Sequence, residues 1–176
     1  MKKFLAIVLA SVMVLSVVAC GNKNSQTSET PAGPTVEVIT EVEKDTLGAT
    51  LLDVFSTEIL ANSALTAQEL GDKVITNEAI LFSGMAMPVE EGFLMGFDAD
   101  IKGFEEAVMF APMIGTIPFV GYVFDLAEDS DVAAFTTTLQ DNANLRWNVC
   151  TEADQMVIAT FADKVFFLMC PNSLEG

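Results

Sequence analysis

Apolar residues between Asp45 and Ala61 fall at Leu51, Leu52, Phe55 and Ile59, spaced three and four apart. That spacing predicts an amphipathic helix, with Asp45 or Thr46 as its N-cap and Asn62 near its stop. Thr66-Ala67-Gln68-Glu69 has capping-box spacing ahead of Leu70 and predicts a short helix ended by Gly71. From Ala79 to Gly103 the period is lost, and Met85, Met87, Pro88, Gly92, Phe93, Met95 and Gly96 fit strand, turn and short helix in several orders. Phe104 to Met113 and Ile117 to Leu126 are strand-like and predict an antiparallel pair with Gly115-Thr116 as the turn. Glu128, Asp129, Ser130 and Asp131 then gather where a helix would begin. Val132, Phe135, Leu139, Ala143 and Trp147 follow along one face, with Arg146 near the other end, where a cation complements the helix dipole. Gln155 to Phe161 and Lys164 to Cys170 are β-rich runs joined at Ala162-Asp163, the pattern of a hairpin.

These elements predict an α+β fold: helices packed on one antiparallel sheet of about four strands, a β-β-α-β-β core preceded by an amphipathic helix. The helix from Asp131 to Val149 is the expected cover for the apolar face of the sheet.

Residues 1–19 obey a different pattern. Lys2 and Lys3 precede an uncharged apolar run from Phe4 to Val18, closed by Ala19 and Cys20. A transmembrane helix needs about 20 apolar residues, and Phe4 to Ala19 falls short before Gly21-Asn22-Lys23-Asn24. A cleaved export signal is therefore expected. Val17-Val18-Ala19-Cys20 resembles a bacterial lipobox, which implies a diacylglyceryl group on the Cys20 sulfur and cleavage just before it. An ordinary secretory signal cut after Ala19 is the alternative, and it leaves Cys20 as a free thiol. Each buried methylene contributes roughly 0.8 kcal/mol, so two acyl chains hold stably where one binds reversibly. Residues 20–34, the lipid-bearing Cys20 and a Ser-, Thr-, Asn-, Gly- and Pro-rich stretch, are expected to be a disordered tether. Residues 35–176 are then one domain, of ordinary size.

The whole chain has 8 basic and 25 acidic residues and a formal net charge of −17. Removing residues 1–19 takes Lys2 and Lys3 and no acid, which leaves −19. Nucleic acid is not an expected partner, because phosphate binding needs clustered Lys and Arg, whereas the six that remain are scattered singly. The same charge is repelled by an anionic membrane surface, which suits a domain held off the lipid.

Phe97-Asp98, Ile101, Phe104-Glu105-Glu106, Phe110, Pro112-Met113, the Tyr122-Val123-Phe124 strand, the acidic helix start, Trp147 and the terminal hairpin together resemble a family of small lipoproteins from Gram-positive anaerobes. These carry a domain of unknown function, with a β-β-α-β-β core after a lipobox. The resemblance covers roughly Phe93 to Cys170 and implies an anchored position on the outer face of the cell membrane. It implies no activity, ligand or catalytic residue. The present chain departs from it in an apolar, Met-rich segment before Phe93 and in a covering helix poor in Lys and Glu.

Chemistry narrows the picture further. The chain contains no histidine, which removes the commonest general base, the usual Ser and Cys triads and most zinc sites. No catalytic residue and no cofactor is expected. Glu90-Glu91, Glu105-Glu106 and Asp98/Asp100 are carboxylate pairs of the kind a glycosidase uses, but 25 acids bring neighbours together by chance. Asp98-Ala99-Asp100-Ile101-Lys102-Gly103 copies the opening of a calcium loop, with carboxylates at positions 1 and 3 and Gly at 6. The copy fails at position 5, Lys102, and at position 12, Met109, so a turn or helix cap is expected and no metal. Asp125, Glu128, Asp129 and Asp131 are explained by helix capping. Cys150 and Cys170 form either a disulfide, as export permits, or two buried free thiols; a redox pair lacks the Cys-X-X-Cys spacing. Met85-Ala86-Met87 followed by Phe93-Leu94-Met95 is the least explained stretch, since thioethers fill cores, line copper sites or form adaptable grooves. An exposed apolar patch there would mark a partner surface. The expected function is a non-enzymatic, lipid-anchored domain binding an extracytoplasmic protein or wall component; the alternative is a small-molecule or cation receptor.

Overall fold

The computed structural model describes residues 35–114 and 116–174. The signal, Cys20 and the tether lie outside them. The fold is α+β. Its elements run β1 (Glu37–Val38), α1 (Leu47–Ala61), α2 (Ala67–Ile75), β2 (Gly84–Val89), β3 (Gly92–Phe93), β4 (Asp100–Ile101), β5 (Glu106–Pro112), β6 (Val120–Asp125), α3 (Val132–Asn142), β7 (Gln155–Phe161) and β8 (Lys164–Cys170).

The main sheet has six strands instead of about four, in the order β1-β7-β8-β6-β5-β2, all antiparallel. The four expected strands are its centre. The two additions are the edges: β1, only two residues long, and β2, which emerges from the segment without a clear period. A separate pair, β3 and β4, joins Gly92 to Ile101 and Phe93 to Asp100.

Both faces of the sheet are covered, and β8 shows how. Phe166, Leu168 and Cys170 enter a core shared with Leu51, Phe55 and Ile59 of α1 and Leu70 and Val74 of α2. Val165, Phe167 and Met169 enter a second core with Leu94, Phe97, Ile101, Phe135 and Leu139. Successive side chains of a strand point to opposite faces, so a stretch buried on both sides is apolar throughout, and after Lys164 β8 reads Val-Phe-Phe-Leu-Met-Cys. The single cover expected from α3 is thus three helices on two faces.

Several local expectations hold and others are corrected. Thr46 caps α1, accepting from Ala49 N at 3.2 Å, and Asn62 ends it. Thr66 and Glu69 form the capping box of α2; the backbone N–H of Thr66, then its hydroxyl, hold the exposed Glu69 carboxyl below its ordinary pKa. Yet α2 runs four residues past Gly71. Glycine in a helix costs about 1 kcal/mol against alanine; a Cβ at 71 would lie 3.0 Å from Val108 Cγ1, so the small residue lets α2 settle closely onto β5. Gly121 plays the corresponding part within the sheet. It stands directly opposite Phe110, and a Cβ there would meet that ring at 2.1 Å, so the aromatic ring occupies the space above the glycine.

Helix α3 ends at Asn142 and not at Val149. Thr136, Thr137 and Thr138 turn their hydroxyls onto the carbonyls of Ala133 and Ala134, a competition that weakens helices. Ala143 is extended and bridges to Phe97, while Asn144 N donates to Gly96 O at 2.9 Å. Trp147 therefore sits in a turn, half-buried against the second core, and Arg146 faces Glu152 at 3.5 Å instead of ending a helix. The terminal hairpin is as expected, with Phe161 opposite Lys164 and Ala162 at a positive φ of 53°.

Candidate functional site

The methionines flagged in the unclear segment come together at the β2 edge. In the register of β2 and β5, Met87 stands opposite Met109 and Met85 opposite Ala111. Directly paired residues share a face. Met109 packs on the second core with Ala107 and Val89, so Met85 and Met87 stand on that face too. Met85 is 36% exposed and Met95 48%; Met87 and Met109 are half-buried. Met113 follows β5, its N–H donating to Ser83 O, and is also exposed. By contrast Met169, in the middle of the sheet, is fully buried.

The cover of this face explains the opening. Residues 94–97 lie directly on β6 and β8: a Cβ at Gly96, where φ is +93°, would reach Met169 Cε at 2.6 Å and Val120 Cγ1 at 3.1 Å. Phe97 packs on Tyr122 and Phe167 with ring centroids 5.8 and 4.7 Å away. The Tyr122 hydroxyl donates to Met95 O at 2.8 Å. Burial raises the Tyr122 pKa well above the ordinary phenol value. The covering segment is thus pinned over β6, and the outer strands β5 and β2 keep a methionine row that it does not close. Exposed Glu90, Glu91 and Glu105 flank β2 and β5 at the Val89 and Ala107 end, whereas Glu106 shares the opposite face with Val108 and Phe110.

The residues of the calcium-like loop are otherwise engaged. Asp98 accepts from Asn144 Nδ2 at 2.8 Å, and its N–H donates to Asn142 O. Lys102 Nζ lies 3.4 Å from Asp100, so the cation at position 5 faces the carboxylate at position 3. Gly103 N donates to Glu91 Oε1 at 2.6 Å, which fastens the end of β2 to the β4 turn. Among the described residues, no group of three or more acidic or cysteine side chains gathers that could hold a metal ion. Asp131 caps α3 through Ala134 N, and Asp125 pairs with Lys164 in a largely buried contact.

Cys150 and Cys170 are not joined. Cys170 points into the core under α1 and α2, whereas Cys150 is exposed in the turn after Trp147. Burial, followed by the nearby Asp154 charge, pushes the Cys170 thiol pKa up, which makes it a poor nucleophile.

Elsewhere, a cleft of about 510 Å³ lies between residues 35–44 and α1, lined by Val36, Val38, Val42, Leu52 and Leu60 with Lys44 at its side. It contains none of Asp98, Asp100 or Met85 to Met95. Among the described residues, no helix is long and apolar enough to cross a membrane.

No protein-family model, curated protein or solved structure matches this chain.

Proposed function

We propose that the chain is a lipid-anchored lipoprotein on the outer face of the cell membrane, whose domain binds an extracytoplasmic protein through the β2 edge and catalyses no reaction. The observation that carries the reading is the row Met85, Met87 and Met109 with exposed Met95 and Phe93, at the edge of a face whose centre, at Phe97, Tyr122, Phe124, Phe167 and Met169, is buried. Unbranched thioether side chains repack readily against a partner, and an open apolar patch with a polar border has the composition of a recognition surface. The bordering glutamates favour a partner with a basic rim. The lipobox-like end at Cys20, the polar tether after it and the absence of histidine from the chain support the anchored, non-catalytic part of the reading. The resemblance to small Gram-positive lipoproteins agrees with it.

Fractionation and site-specific crosslinking test both halves. Cys20→Ser should move the protein from the membrane to the soluble extracytoplasmic fraction. A photo-crosslinking side chain at Met85 or Met95 should trap one discrete adduct on intact cells, abolished by Met87→Glu, while the same group at Ser56 on α1 should trap none. Adducts of equal yield from Ser56, or none from the edge of a stable and exposed domain, would remove the binding reading.

A further inference from the structure

The chemistry of the β2 edge goes further than apolar contact. We infer that Met85, Met87 and Met109 form a thioether site for Cu(I), with Met95 close enough in the fold to add a fourth sulfur. The inference rests on the reading of this edge as a recognition surface and names a ligand for it.

Three observations carry it. The first is convergence. Met87 and Met109 are directly opposed across two strands, where side chains leave the backbone about 5 Å apart. Met85 stands two residues along β2 on the same face, about 6.6 Å further. Each thioether has three rotatable bonds above that spacing, so three sulfurs can meet on one ion without movement of the sheet. Met95 is held over the neighbouring strand by the Tyr122 hydroxyl on its carbonyl, and Tyr122 is the residue opposite Met109.

The second is exposure. A methionine that only fills a core is enclosed, as Met169 is. Met85 and Met95 are open to solvent, and Met87 and Met109 partly so. Leucine would cover the same sheet as well, but it has no lone pair to donate.

The third is ligand type. Thioether sulfur is a soft, uncharged donor, which selects Cu(I) over calcium, magnesium or manganese, whose ligands are carboxylate and carbonyl oxygens. Zinc sites are built from thiolate, imidazole and carboxylate; the chain has no histidine, and Cys170 is buried in the core on the other face of the sheet. The formal charge of −17, with exposed Glu90, Glu91 and Glu105 at the Val89 and Ala107 end of β2 and β5, raises the local concentration of any cation.

The test uses the full chain in detergent micelles, with Cys150→Ser in every sample so that no exposed thiol at that position competes. Cu(I) is titrated anaerobically against a chromophoric Cu(I) chelator. Wild-type methionines should hold one equivalent, and replacing Met85, Met87 and Met109 together by Leu should weaken binding about tenfold or more, a loss of about 1.4 kcal/mol for each tenfold. Equal retention by the two proteins, or no competition by either, overturns the inference. A second readout guards against a misfolded triple variant: with methyl-labelled methionine in the unsubstituted protein, Ag(I) should shift Met85, Met87 and Met109 and leave Met156 and Met169 in place. Shifts confined to the latter two overturn it as well. No Cu(I) binding by the protein with its methionines intact, with crosslinking at Met95 retained, ends the metal assignment alone, while absence of both ends the surface reading too.

Discussion

Tyr122→Phe probes the contact that ties the second core to the methionine edge. Tyr122 is the only tyrosine in the chain and is fully buried, its ring stacked on Phe124 at 5.3 Å and its hydroxyl donating to Met95 O at 2.8 Å. The substitution keeps the ring and removes one hydrogen bond, worth about 1 kcal/mol net. The pH dependence gives a sharper test. Burial holds the folded-state phenol well above its ordinary value of 10.0, so the associated stability is fully present below that pH and lost as pH rises beyond it, where only the unfolded chain ionises. That loss approaches about 1.4 kcal/mol per pH unit, so the variant should be about 1 kcal/mol less stable at neutral pH and draw level at about pH 11. The raised Cys170 thiol is common to both proteins and cancels in the difference. Urea unfolding across this range measures the crossing, and tyrosinate absorbance of the native wild type reports Tyr122 directly. Ionisation with a midpoint near 10.0 while circular dichroism stays native would refute the burial, and a constant offset between the proteins would refute the linkage.

Two further outcomes follow from the packing. Gly121→Ala puts a methyl group into the Phe110 ring, which is itself held between Phe119 and Phe166; the expected cost is about 1–3 kcal/mol in urea unfolding, and a neutral result would mean that Phe110 does not lie over the glycine. With Cys20→Ser to remove the N-terminal sulfur, the native protein should give one fast thiol with a disulfide-exchange reagent, from Cys150, and a second only on unfolding, from Cys170. No reactive thiol in the unfolded, unreduced chain would restore the disulfide.

Local signals carried the elements whose periodicity and caps agreed. Thr46, the Thr66–Glu69 box, Asp131 and the Ala162-Asp163 turn stand where their side-chain chemistry places them, because each satisfies backbone groups within a few residues of itself. The helix boundaries at Gly71 and Ala143 went the other way. Packing against Val108 carried α2 through a residue that usually ends helices, and the bridge to Phe97 stopped α3 before its apolar stripe ran out. Met85, Met87 and Met95 were visible as an unexplained set, but Met109 joined them only through the register of β5.

From its sequence alone the chain determined an α+β class, the central antiparallel strands, the caps and the exclusion of histidine chemistry, since these depend on residue type and short spacing. The tertiary structure decided the six-strand width, the two cores, the separation of Cys150 from Cys170 and the open methionine row. Those depend on which distant residues share a face, and a strand buried on both sides leaves no alternation in its sequence to tell one face from the other.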